Sequence, residues 1–193
     1  MKFYQSLSKW SVTLILLTLF SVSARADLLL EPHLGFNVSG SGDTGSGTGL
    51  VKYSYSGLQM GARAGYQMLG FMTGLDYTRS SYTLEAKGVS STTNSDLDRN
   101  EIGLFVGYNF PILLRAWGTY YFSNTSTYSN GNEVSGNTTE LGVGFTGFPF
   151  LSINAMIRMA SFDEFKSGST TTSLSPKQDF TEVVVGVSIP FTL

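Results

Sequence analysis

From Asp27 onward the apolar residues recur with period 2 rather than 3.6, in segments of about ten residues separated by glycine, serine, threonine and asparagine. Such alternation is the signature of β-strands with two unlike faces. Eight segments are expected, near 28–40, 57–68, 71–82, 100–110, 113–123, 138–148, 150–162 and 180–193. Their connections alternate between tight and long. Leu69-Gly70, the Pro111 region and the Phe148-Pro149 region are tight turns, whereas 41–56, 83–99, 124–137 and 163–179 are long polar runs. A sandwich gives no reason for that regularity. A transmembrane β-barrel does, with short turns at one rim and long connections at the other.

The facing of each segment points the same way. Segment 57–68 sets Leu58, Met60, Ala62, Ala64, Tyr66 and Met68 on one face and Gly57, Gln59, Gly61, Arg63, Gly65 and Gln67 on the other. Segment 180–193 sets Val183, Val185, Val187, Ile189, Phe191 and Leu193 against Glu182, Gly186, Ser188 and Thr192. The expectation is an all-β chain: an eight-stranded antiparallel up-and-down barrel, apolar face in lipid, glycine-and-charge face in a narrow lumen. Aromatics form two sets along the lipid face. Tyr66, Phe71, Tyr108, Phe110 and Phe191 lie near the short turns, and Tyr77, Tyr120 and Phe122 toward the long connections, as two interfacial belts require.

Ahead of this pattern, Lys2 and Lys9 precede an apolar run from Trp10 to Phe20, and Ala24-Arg25-Ala26 supplies a small-x-small cleavage site. Residues 1–26 therefore read as a cleavable signal peptide and 27–193 as the barrel, cut between Ala26 and Asp27. The apolar run is too short for a membrane-spanning helix. Cleavage removes three of the twelve basic residues and none of the fourteen acidic ones, and an acidic mature chain excludes nucleic acid as a partner. The absence of cysteine means that the exported fold is stabilised without disulfides.

Inward positions carry Glu31, His33, Arg63, Asp76, Glu101, Arg115, Glu140, Arg158 and Glu182. Folding about Leu69-Gly70 sets Arg63 opposite Asp76, and folding about Pro149 sets Glu140 opposite Arg158. Charges in a low-dielectric interior need partners, and arginine donates to a carboxylate from a planar fork. Two roles suit such pairs: a polar plug that seals the barrel, or a gated conduit opened by rearranging salt bridges. Eight strands leave a lumen that side chains fill, which favours the plug. Met72, Phe105, Trp117 and Met156 would occupy much of the rest.

These features resemble the eight-stranded outer-membrane barrels of the OmpA-like and OmpX-like kind over the whole mature chain. Gly186-Val187-Ser188-Ile189-Pro190-Phe191-Thr192-Leu193 is similar to that family's terminal insertion signal, carried here by Gly186, Ile189, Phe191 and Leu193. It departs from the family pattern in Pro190 and in ending on leucine rather than an aromatic. The resemblance implies location in the outer membrane of a Gram-negative bacterium, insertion by the barrel-assembly machinery, outer-membrane lipid as the surroundings, and a monomer. It further implies adhesion or envelope integrity carried by four extracellular loops that bind an external ligand. The chain ends at its last strand, so no peptidoglycan-gripping domain is expected after it.

Three other patterns carry less. Gly40-x-Gly42-x-x-Gly45 lacks the strand-to-helix setting of a dinucleotide site. Asn124-Thr125-Ser126 and Asn137-Thr138-Thr139 match glycosylation acceptors but are ordinary loop composition. His33 is the chain's single histidine, and lipid-modifying catalysis through it is the alternative that an enzyme reading needs. No metal, cofactor or catalytic set is expected from one histidine and no cysteine.

Overall fold

A computed structural model describes residues 26–44, 51–87 and 92–193. The expected signal peptide as far as residue 25, with Ala24, and the connections 45–50 and 88–91, lie outside the described residues. Eight antiparallel strands follow one another: β1 (Asp27–Thr44), β2 (Val51–Met68), β3 (Phe71–Lys87), β4 (Thr92–Asn109), β5 (Leu114–Tyr128), β6 (Glu133–Phe148), β7 (Leu151–Ser167) and β8 (Thr170–Ser188). Each pairs with its sequence neighbours, and β1 pairs with both β2 and β8, so the sheet closes into a ring.

Expected segment 180–193 is not one strand. It divides at Pro190, which has no N–H to give the ladder, and a short β9 (Phe191–Thr192) resumes pairing with β1 at Leu29 and Leu30. The start of β1 is tied to the last residue as well, with Leu28 N–H donating to the Leu193 carbonyl and Leu193 N–H to the Leu28 carbonyl, both at 2.9 Å.

At one rim lie the tight turns, and each has a bulky residue at positive φ: Leu69 (51°), Leu113 (61°) and Phe150 (62°). Leu69 with Gly70 (87°) makes a hairpin turn of the primed kind, in which an asparagine would ordinarily lead. An L-residue there costs about 1–2 kcal/mol, and the tips are apolar, with Leu69 66% and Phe150 82% exposed. Among the described residues Asp27 is the one exposed charged side chain beside this rim; the exposed Lys52, Lys87, Asp96, Asp98, Lys166 and Lys177 lie toward the other end.

The outer face above the turns is a continuous apolar band. Leu28, Leu30, Leu34, Phe36 and Val38 face out on β1, and Leu58, Met60, Tyr66 and Met68 on β2. At about 3.3 Å per residue and a strand tilt of about 40°, either run spans about 25 Å of barrel height, the thickness of the apolar band of a membrane barrel.

Beyond the band the alternation inverts, which corrects the expected loops. The runs 41–56, 83–99, 124–137 and 163–179 are for the most part ladder: Asp43 pairs with Lys52, Glu85 with Asn94, Thr127 with Glu133 and Lys166 with Thr171. Among the described residues the connections at this end are the short 129–132 and 168–169. Here the outside is polar, through Ser54, Ser56, Ser81, Thr83, Asp96 and Asp98, and the inside holds an apolar core of Tyr55, Tyr82, Leu84, Leu97, Val134 and Phe162. The lower barrel is organised for lipid outside and the upper barrel for water outside. Near the change, bulges shift the register of β1 past Asn37, β5 past Tyr121 and β7 past Phe162.

Candidate functional site

The interior of the band is filled by charge. Arg63 lies opposite Asp76 in the β2–β3 ladder, and Glu140 opposite Arg158 in β6–β7, the two pairings that folding about the turns implies. Both are ion pairs. Arg63 Nε donates to Asp76 Oδ2 at 2.8 Å, and Arg158 Nε lies 3.2 Å from Glu140 Oε2, close enough for attraction but not aligned as a hydrogen bond.

The pairs join across the lumen. Arg63 Nη2 also donates to Glu140 Oε1 at 3.2 Å, and its Nη1 lies 3.6 Å from Glu31. Arg115 grips Glu31 with both terminal nitrogens, one of them at 3.0 Å. Arg158 donates to Glu101 and, at 3.2 Å, to Glu182 Oε2, and Arg99 donates to the other oxygen of Glu182. Four arginines and five carboxylates thus make one network, and each of the nine residues is at most 2% exposed. His33 borders it, its Nε2 3.2 Å from Asp76 Oδ1.

Neutral donors add to the partners of three of the carboxylates. Trp117 Nε1 donates to Glu140 at 2.9 Å, Tyr55 OH to Glu182 at 2.6 Å and Thr138 Oγ1 to Glu101 at 2.8 Å. Aromatic rings line the guanidiniums: Arg63 lies 4.4 Å and Arg115 4.8 Å from the Trp117 ring centre, and Arg99 is placed among Tyr55, Tyr82 and Phe162 at 5.0–5.6 Å. Gly142 makes room for this arrangement, since a Cβ there would come within 2.3 Å of the Trp117 indole.

Every sequence-expected lumen residue therefore sits inside, and all but His33 belong to the nine. Arg99 is not among the expected lumen residues, because the run 83–99 reads as loop. Its signal was available, since it stands two residues before Glu101 and so on the same strand face. Tyr55 falls in a run expected to be loop, and Tyr82 and Tyr121 join the expected Phe105 and Trp117 as inward aromatics, each standing on the inward parity of its strand. Of the terminal residues, Ile189, Phe191 and Leu193 face outward, and Gly186 faces inward against Gly35 with its Cα too near the Leu34 carbonyl for a side chain. Ala26 and Asp27 lie exposed at the start of β1. No group of three or more metal-ligating side chains is assembled among the described residues.

No protein-family model matches the chain, and no curated protein does. Solved structures do. Neisserial surface protein A is 14% identical with a TM-score of 0.49, over 85% of this chain and 97% of that one. The outer membrane protein OprG from Pseudomonas aeruginosa is 14% identical with a TM-score of 0.48, over 88% and 98%. The outer membrane protease OmpT from Escherichia coli is 10% identical with a TM-score of 0.38, over 89% and 99%. The barrel assignment rests on the closed strand ladder itself.

Proposed function

We propose that this chain is a non-conducting outer-membrane barrel, a rigid scaffold that carries a β-structured polar surface above the lipid for binding at the cell exterior. The observation that carries this reading is the buried network of four arginines and five carboxylates, which crosses the lumen at the height of the apolar band. Its members are held by several partners each, so an ion passing through would have to break paired charges out of a low-dielectric interior. The network acts as a plug and fixes the register of the strands that contribute to it.

The outer face supports the membrane placement. A 25 Å apolar band, apolar turn tips and charges gathered at the opposite end fit a barrel inserted with its turns toward the periplasm. On this reading the outward row Ile189, Phe191 and Leu193, ending beside Leu28, is what the assembly machinery recognises and what outer-membrane lipid then covers. On this reading the protein works as a single barrel without a cofactor, and His33, at the border of the network beside Asp76, serves as a packed polar side chain rather than as a catalytic base.

Planar-bilayer recording on the refolded chain tests this. The expected result is a silent membrane, with folding and insertion shown by heat-modifiable gel mobility. Discrete conductance steps that change in a Glu140→Ala/Arg158→Ala variant would replace the plug with a conduit.

A further inference from the structure

On the outer face of β5–β7, directly above the apolar band, the strand ladder opens into a recess of about 300 Å³ lined by Tyr120, Phe122, Ser123, Asn137, Asp163 and Glu164. Two bulges make it. On β5 the pairing with β6 steps from Tyr121↔Thr138 to Asn124↔Gly136, so Phe122 and Ser123 together oppose Asn137. On β7 the pairing with β6 steps from Gly136↔Phe162 to Ser135↔Glu164, which leaves Asp163 outside the ladder. Phe122 and Ser123, consecutive in sequence, are both exposed as a result. Gly136 lies between the bulges, and a Cβ there would fall 1.9 Å from the Ser161 carbonyl oxygen. Bulges re-aim side chains and recur beside functional sites.

We propose that this recess binds an uncharged hexose carried by a glycolipid of the same leaflet, an inference that rests on the outer-membrane placement above. A hexose has an apolar C–H face and a rim of hydroxyls. Tyr120 and Phe122, each 51% exposed, offer ring faces for the first. The carboxylates of Asp163 and Glu164 accept from hydroxyls, while the Asn137 amide and Ser123 hydroxyl both donate and accept. Lys177 Nζ lies 3.3 Å from Asp163 and orients that carboxylate. Two carboxylates in so small a space disfavour a phosphate headgroup. The volume lies at the lower end of the range for small-ligand sites and suits one or two sugar rings. Position selects the source: the recess opens sideways at the top of the lipid-facing band, where a headgroup anchored in the leaflet is already present.

The test uses the chain purified from membranes of expressing cells and exchanged in detergent until free of host lipid. Digalactosyl diacylglycerol retained per barrel is counted by native mass spectrometry, beside phosphatidylcholine of the same acyl chains and free digalactose. Preferential retention of the glycolipid is expected, weakened about tenfold by Phe122→Leu and by Glu164→Gln, each of which removes one contact. Both variants keep the belt apolar or the side-chain shape unchanged, and heat-modifiable mobility verifies their fold. Equal retention of the two lipids, or variants that bind as the parent does, overturns the proposal. Free digalactose binding as tightly as the glycolipid overturns the assignment to a membrane source. Loss of heat-modifiable mobility in the parent chain would instead count against the barrel placement.

Discussion

Replacing Arg158 by methionine removes the centre of the lumen network while keeping much of the side-chain volume. Its three carboxylate partners are not left alike. Glu140 keeps Arg63, and Glu182 keeps Arg99, but among the described residues Arg158 is the one cation within ion-pair distance of Glu101. Glu101 is then a fully buried carboxylate supported by the Thr138 hydroxyl. Removing one partner of a buried pair costs about 3–5 kcal/mol, most of it the stranded charge rather than the lost attraction. That origin gives the test its sign. Adding Glu101→Gln to Arg158→Met removes the stranded charge, so the double variant should be more stable than Arg158→Met alone, by about 1–3 kcal/mol. The assay is denaturant unfolding of the chain refolded from Asp27 into vesicles. Trp117 reports it without labelling, because the other tryptophan, Trp10, precedes Asp27 and is absent from the refolded chain, and because the Trp117 ring touches Arg63, Arg115 and Glu140. A cost below about 1 kcal/mol for Arg158→Met, or strict additivity in the double variant, would mean that the lumen solvates its charges with water, and the plug would be refuted.

Other substitutions probe the remaining layers. Val106→Arg places a charge midway along the apolar band and should cost about 2–4 kcal/mol in vesicles, whereas Asn94→Arg, beyond the band, should change stability by no more than about 0.5 kcal/mol; equal tolerance would remove lipid from the outer face. Gly142→Ala drives a methyl into the Trp117 ring and should cost about 1–3 kcal/mol, while Gly118→Ala, whose Cβ meets Leu141 at an ordinary 3.5 Å, should be near neutral in the same unfolding assay. Phe162→Ala should cost about 3–5 kcal/mol by opening the upper apolar core, and hydrogen exchange should show the loss concentrated in β6–β8 with the lumen network still protected.

Why the lower half of the barrel could be read from the sequence and the upper half could not has a physical cause. Where lipid covers one face, every second residue must be apolar, so Leu58, Met60, Tyr66 and Met68 mark β2 without ambiguity, and a charge such as Arg63 is confined to the other face. The register then follows from the turns, which is why Arg63–Asp76 and Glu140–Arg158 could be paired by counting. Above the lipid, both faces of the ladder accept hydroxyls and the rule lapses. Ser54 and Ser56 flank Tyr55, and Asp96 and Asp98 flank Leu97: the alternation is still present but with its sense reversed, so a search for apolar-outward residues registers a loop. Bulges at Asn37, Tyr121 and Phe162 add to the difficulty, because each moves the inward residues from one parity of numbering to the other. Arg99 lies in the run 83–99 that this reversal disguises as loop, although it shares Glu182 with Arg158. The same reversal explains how one chain fills its interior in two ways. In the lipid layer the interior is occupied by ion pairs, because the apolar side chains are needed outside. In the upper layer it is occupied by Tyr55, Tyr82, Leu97 and Phe162, because water outside frees them to pack within, and Arg99 joins the two by setting its guanidinium among those rings while holding Glu182 below.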